Sequence, residues 1–375
     1  MSKIELKDLY VRYGMHDAVK NLSFTCEDSG LTCLLGPSGA GKTTTLKTIA
    51  GILTLTSGKI SIDGKDMTTV ASQERNLAMT FEGYNLYPHF NVYENLSFPL
   101  KSPRRSGKYD DKKIDSRVRE IARMLEIEPL LDRLPKEISG GQKQRVGLGR
   151  MLVRENPAAY LLDEPIAHLD AKLRHQMVGE IKRIHEELKT TMLYATPDAG
   201  EAVALADEII FLSDGCLMQQ GTPEDLVLKP ANTFVAEFIG DPKINFFQGK
   251  LVRSNGNYIF ENKDGNFLLH KDDYITIHEK YAFEEGQEVI LGVRPQYCSY
   301  SFEKPDYNCL DAPLRACLIE LRGDSVVITG EIGEEHYLIK VTEVDSRLKI
   351  DNNIYFVFNP HHIHIFDLSG QNLIR

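Results

Sequence analysis

GPSGAGKTT, Gly36 to Thr44, fits the phosphate-loop pattern G-x-x-x-x-G-K-[ST], and its flanks decide how the pattern is read. The apolar run Leu31 to Leu35 predicts a buried strand feeding the loop. Behind it, Leu46, Ile49 and Ala50 recur at helical spacing and Gly51 supplies a stop, so the order is strand, glycine loop, helix. Phosphate binding needs that order. Gly36, Gly39 and Gly41 let backbone amides curl around an anion without Cβ clashes, and the helix behind them adds its positive dipole end. Lys42 is placed to reach the β- and γ-phosphates of a nucleotide, and Thr43 to ligate Mg²⁺. The predicted nucleotide-binding set from this loop is Gly36, Ser38, Gly39, Ala40, Gly41, Lys42, Thr43 and Thr44. A glycine-rich turn with an adventitious Lys-Thr is the plainer account, and the flanking strand and helix count against it.

The 375 residues suggest two domains, and 42% hydrophobic with 26% charged residues is ordinary for a soluble globular protein. No apolar run approaches the roughly 18 residues that span a bilayer, and MSKIELKDLY lacks the apolar stretch of a signal peptide. The expected compartment is the cytoplasm. Cysteines at 26, 33, 216, 298, 309 and 317 form no C-x-x-C pair, and Cys33, inside the strand before the loop, reads as a reduced, buried thiol. A net charge of −10 argues against broad nucleic-acid affinity.

Ahead of the loop, Lys3 to Val11 and Leu22 to Thr25 read as strands separated by a turn at Tyr13-Gly14. Tyr13 suits core, edge, or an aromatic that stacks on a nucleotide base. Lys59 to Ile62 and Asn76 to Phe81 read as further strands, the second ending at Glu82. Between about Arg104 and Pro135, Ile114, Val118, Ile121 and Leu125 recur in a charged background, which predicts an amphipathic surface helix. ISGGQKQRVGLGR follows. Ser139 makes a good N-cap, and Gly140 and Gly141 expose the first amides of the next helix, a second anion-binding terminus. Further on, AYLLDEP places Asp163 and Glu164 at the end of an apolar strand. There Asp163 suits a Mg²⁺ held through water and Glu164 suits deprotonation of an attacking water, although Asp-Glu-Pro also serves as a polar turn. A helix carrying Leu173, Met177, Ile181, Ile184 and Leu188 on one face and strands at Thr191 to Ala195 and Glu208 to Leu212 complete an α/β pattern with a mainly parallel sheet.

Phosphate loop, ISGGQ, LLDEP and HLD (His168 to Asp170), in this order, resemble the nucleotide-binding subunit of ATP-binding-cassette transporters, and the resemblance extends over the whole chain. It implies a phosphate-loop ATPase core with a helical subdomain at about 83–145, together spanning 1–235, and an all-β regulatory domain of paired oligonucleotide/oligosaccharide-binding-like barrels over 236–375. FIGDPKINFFQG (Phe238 to Gly249), LGVRP (Leu291 to Pro295) and HIHIFD (His362 to Asp367) are similar to landmarks of that second domain. Its many short strands, such as Val289 to Val293 and Val326 to Thr329, agree. For His361, His362 and His364, alternation in a half-buried strand is preferred to a metal site.

The resemblance also implies roles. ATP and Mg²⁺ are the expected ligands, Tyr13 the adenine-stacking aromatic, and Ser139, Gly140, Gly141 and Gln142 the signature that caps the γ-phosphate held by an opposite subunit. Expected partners are a second ATPase subunit, two membrane permease subunits at the cytoplasmic face of the membrane and, indirectly, an extracytoplasmic solute-binding protein, with no nucleic acid. The chain resembles maltose-type and glycerol-phosphate-type importers, in which GYNLYPHFNVYENLSFPL (Gly83 to Leu100) would receive a permease helix. A soluble ABC ATPase acting on nucleic acid or ribosomes is the alternative, and the acidic charge counts against it. Two residues depart from the family. Glu82 stands where a glutamine is expected; it can still ligate Mg²⁺ and is counted with Glu164 among catalytic residues, but adds negative charge beside a phosphate. Pro197, in YATPD, stands where a switch histidine is expected and offers neither side-chain donor nor amide hydrogen. These departures predict a slow site paired with a consensus site of a paralogue, with an ordinary homodimeric importer ATPase as the alternative.

Overall fold

The computed structural model describes residues 3–80, 86–101, 109–167, 169–254, 257–262, 265–269, 286–306, 309–359 and 362–372. Glu82, Tyr84, His168 and His361 lie outside the described residues. The chain divides into two compact units, Met1–Pro223 and Glu224–Arg375.

In chain order the first unit runs β1 (Ile4–Tyr13), β2 (His16–Cys26), β3 (Leu31–Leu35), α1 (Lys42–Ile49), β4 (Ser57–Ile62), β5 (Lys65–Asp66), β6 (Leu77–Thr80), α2 (Val92–Ser97), α3 (Asp111–Met124), α4 (Gly140–Leu152), β7 (Ala159–Asp163), α5 (Ala171–Leu188), β8 (Met192–Thr196), α6 (Ala199–Leu205), β9 (Glu208–Ser213) and β10 (Cys216–Gly221). Among the described residues these strands make two sheets, β2-β1-β4-β5 and β10-β9-β3-β8-β7-β6. The second is parallel except for the β9–β10 hairpin. Every residue of β3, β7 and β8 is buried, as expected for strands covered on both faces, which is why their sequences are unbroken apolar runs rather than alternating ones. Leu6, Leu22 and Ile60 of the first sheet share one core with Leu34, Leu161 and Leu193 of the second and with Leu46 and Ile49 of α1. The amphipathic helix is α3: Ile114, Val118 and Ile121 are buried, and Asp110 caps it by accepting from the Lys113 amide at 2.7 Å.

The second unit opens with α7 (Pro223–Leu228), which straddles its boundary, and α8 (Thr233–Phe238). Then come β11 (Asn245–Ser254), β12 (Asn257–Asn262), β13 (Gly265–Leu269), β14 (Gln287–Val293), β15 (Cys298–Ser301), β16 (Leu314–Arg322), β17 (Ser325–Ile332), β18 (Glu335–Val341), β19 (Asn353–Phe358) and β20 (Ile363–Asp367). All pairings are antiparallel, in sheets β13-β12-β11-β14-β20 and β15-β19-β16-β17-β18, which enclose a common core around Phe247, Leu291, Ile328 and Phe356. β20 differs from the half-buried strand expected of HIHIFD: Ile363 to Phe366 are all buried. His364 is in that buried run, and His362 stacks on Tyr297 with ring centroids 3.9 Å apart. The six cysteines are free, and burial pushes the Cys33 thiol well above its ordinary value.

Candidate active site

The loop Gly36 to Gly41 joins β3 to α1, and its shape rests on positions where a side chain does not fit. A Cβ on Gly36 would lie 2.1 Å from the Leu212 carbonyl oxygen. Gly41 has φ +96°, and a Cβ there would lie 2.6 Å from the Ala18 carbonyl oxygen of β2. Ala40 is buried and accepts from the Gly215 amide, which leaves Ser38 and Gly39 exposed at the crest. Lys42 begins α1 and its side chain is only 4% exposed. Its Nζ donates to the Gly36 and Pro37 carbonyls at 2.9 and 3.1 Å and lies 3.6 Å from Glu164 Oε1. Burial lowers the Lys42 ammonium below its ordinary value, with the Glu164 and Asp163 charges pulling the other way. Thr43 Oγ1 donates to Asp163 Oδ1 at 2.8 Å, and Thr44 lies on α1 one residue on.

Asp163 ends β7 and is buried. Glu164 follows in a left-handed conformation, φ +45°, and is held there because its amide donates to the Ala195 carbonyl of β8 at 3.0 Å. Such a conformation costs about 1–3 kcal/mol and persists where its surroundings enforce it. Glu164 is partly exposed and, with Ala167, Arg174, Thr196, Pro197, Asp198 and Glu201, lines a cavity of about 220 Å³. The structure therefore brings Gly36, Lys42, Thr43, Asp163 and Glu164 together and sets Pro197 in one cavity with Glu164.

Two residues of this cavity escaped the sequence reading. Glu201 is buried, and its Oε2 accepts from Tyr194 Oη at 2.9 Å and Thr196 Oγ1 at 2.7 Å. Burial raises its carboxyl above the ordinary value, opposed by those two hydrogen bonds. Arg174 on α5 lies 3.7 Å from Glu201 and 3.6 Å from Asp198. A sequence signal for Glu201 did exist: Asp198 caps α6 by accepting from the Glu201 amide, a D-x-x-E start.

The signature residues occupy a different element. Ser139 caps α4 in a reciprocal box, its Oγ accepting from the Gln142 amide while Gln142 Oε1 accepts from the Ser139 amide at 2.9 Å. Ser139 and Gly140 are exposed, and Gly141 packs so closely on α5 that a Cβ would lie 2.3 Å from Leu173 Cδ2. Tyr13, at the tip of the β1–β2 hairpin, is 45% exposed, open to stacking rather than part of the core. In the Gly83 to Leu100 stretch, Tyr87 packs edge-on to Phe90 and tilted against Phe98, with the Arg150 guanidinium 4.5 Å above its ring.

The model of the family described as "ABC transporter" matches residues 19–167. The chain is 38% identical over 374 residues to the sn-glycerol-3-phosphate import ATP-binding protein UgpC of Rhizobium meliloti, covering all of both proteins. This chain belongs to the ABC transporter ATP-binding family. As an ABC ATPase it hydrolyses ATP coupled to transport. It is also 38% identical over 390 residues to the trehalose/maltose import ATP-binding protein MalK of Thermococcus litoralis, again covering all of both. The solved dimeric post-hydrolysis state of the ATP-binding cassette MJ0796, bound to ADP and Pi, superposes with a TM-score of 0.53 at 29% identity, over 59% of this chain and 98% of that one. Among the described residues, no helix of this ABC ATPase is long and apolar enough to cross a membrane.

Proposed function

We propose that this ABC ATPase drives import of a small polar solute of the sugar, polyol or glycerol-phosphate class. It would act at the cytoplasmic face of the membrane with two permease subunits, a second ATPase subunit and, indirectly, a solute-binding protein. Full-length similarity to several import ATP-binding proteins carries this reading. The first compact unit is the nucleotide domain, and the β domain after it is regulatory.

Lys42 holds the β- and γ-phosphates and Tyr13 stacks on the adenine. Thr43 and Asp163 offer adjacent hard oxygen donors, a set that fits Mg²⁺, with Glu82 as a further candidate. When bound, that ion neutralises phosphate charge. Glu164 Oε1, carried on a rigid strand end yet open to the cavity, takes the proton of the attacking water. Ser139, Gly140, Gly141 and Gln142 serve the ATP of the opposite subunit. Because Glu82 and Pro197 weaken only this chain's own ATP site, its best partner is a paralogue with an intact glutamine and histidine. The degenerate ATP would then mainly hold the dimer closed. Affinity purification of the tagged chain from membranes tests the reading: two permeases and a paralogous ATPase should co-purify. Recovery without any permease would remove the transport assignment, and recovery with permeases but only identical ATPase chains would remove the pairing.

A further inference from the structure

On the second unit, side chains from three neighbouring strands converge at a place that ATP chemistry does not use. Arg315 of β16 is paired across the sheet with Glu331 of β17, and Glu331 with His336 of β18. Their chain neighbours Leu314, Ala316, Gly330 and Tyr337 are buried, so alternation puts this row on the outer face. The β16–β17 register slips between Ala316 and Leu318, leaving Cys317 as the extra residue of a bulge, a feature that re-aims side chains. Cys317 Sγ donates to the Thr329 carbonyl at 3.2 Å. One ligand atom each from Cys317, Glu331 and His336 then falls within 4.8 Å of the others, the only such grouping of three among the described residues.

We propose that Cys317, Glu331 and His336 form a binding site for Zn²⁺ or a similar borderline-soft divalent cation, with a fourth position left for water. One thiolate, one imidazole and one carboxylate make a set that suits Zn²⁺, and the thiolate and imidazole are ligands Mg²⁺ disfavours. Glu331 is already divided for the task. Its Oε1 accepts from Arg315 Nε at 2.7 Å and from the terminal guanidinium nitrogen, while its Oε2 faces His336 Nε2 at 3.8 Å. Arg315 thus acts as the outer partner that orients a ligating carboxylate. Arg315 also donates to Asp351 at 2.9 Å, so one positive charge stands against Glu331, Asp351 and, once metal binds, the Cys317 thiolate. That net charge of two negatives is what a dication neutralises. His336 is exposed, so rotation of its side chain can close the set onto metal bonds of about 2.0–2.3 Å. Binding replaces the S–H bond of Cys317 with a sulfur–metal bond and releases the proton to solvent.

The test titrates the reduced, metal-stripped full chain with Co²⁺ and then Zn²⁺. One equivalent of Co²⁺ should give a near-ultraviolet thiolate-to-cobalt charge-transfer band and release a proton; Zn²⁺ should abolish the band and excess Mg²⁺ should not. Cys317→Ser should lose the band. His336→Gln and Arg315→Gln should weaken binding about tenfold or more, and as changes on the outer face they leave the circular dichroism spectrum unchanged. No band from the folded wild-type chain would overturn the site, and the same band from Cys317→Ser would mean adventitious binding at other groups and overturn it equally.

Discussion

Replacing Pro197 with histidine should accelerate ATP hydrolysis at this chain's own site about 100-fold. Pro197 follows β8 directly and is exposed, so a larger ring meets no core, and it shares its cavity with Glu164. The turn beneath does not depend on proline: the Asp198 amide donates to Thr196 Oγ1 at 3.0 Å, and Thr196 is tied to Glu201. The substitution therefore changes the donors facing the cavity and not the scaffold. One donor aimed at charge developing on the γ-phosphate contributes about 2.7–4 kcal/mol, or 10²–10³ in kcat, and the expected acceleration takes the lower end. The assay is steady-state phosphate release at saturating Mg-ATP, with Pro197→Ala as control. Alanine restores the amide hydrogen without a side-chain donor and should leave the rate near its starting value. Histidine and alanine variants that are folded, bind ATP and turn over equally would refute the slow-site reasoning.

Lys42→Ala removes the buried ammonium from the loop, and calorimetry should show Mg-ATP affinity falling by about 1.5–3 kcal/mol, the value of a charged hydrogen bond; unchanged affinity would contradict the loop assignment. Tyr87→Glu puts a carboxylate beside Arg150, which can pair with it, so circular dichroism and ATP binding should persist while transport is uncoupled from hydrolysis; unfolding instead would show that the aromatic cluster is only packing. In the assembled transporter, Glu164→Gln should cost little while Ser139→Arg, at an exposed helix cap, abolishes turnover; the opposite ranking would overturn the paired-paralogue reading. Glu201→Gln should change the pH dependence of stability. The folded carboxyl titrates above its ordinary 4.5, so its stabilising contribution is complete below that value and is lost as pH rises through the folded value. Thermal melts should show the glutamine variant gaining on wild type as pH rises from about 4.5 towards neutrality, and a constant difference would show that this carboxyl does not titrate as described.

Much of this was legible because its signals are local. Leu31–Leu35, Ala159–Asp163 and Met192–Thr196 are apolar runs that only a doubly covered strand explains, and α3 shows its buried stripe at helical spacing. The Ser139 cap was likewise readable from residue types alone. What escaped depends on tertiary contact. β10, with the sequence CLMQQG, has no apolar pattern and forms because its backbone completes a hairpin with β9. Cys317 belongs to a cluster only because a register slip places it near residues on the next two strands, and no spacing along the chain encodes that.

The place of Pro197 beside Glu164 also has a cause in register. Leu35 of β3 lies opposite Thr196 of β8, Ala195 of β8 opposite Asp163 of β7, and Leu162 of β7 opposite Thr80 of β6. Four parallel strands therefore end on one line, and the residues that follow β3, β8 and β7 leave the sheet at one level: Gly36 with its loop, Pro197 and Glu164. In sequence Glu82 stands two residues beyond Thr80. Substitutions at these ends disturb neither the buried runs nor the pairings below them, because each strand is complete before the changed position is reached. The scaffold thus tolerates a proline after β8 at little folding cost, and on the proposed slow-site reading the consequence falls on the chemistry of the bound phosphate. A chain under selection only for folding and nucleotide binding could keep both residues, whereas one required to hydrolyse its own ATP rapidly could not without a substitute donor. The rate of the Pro197→His variant separates those two histories.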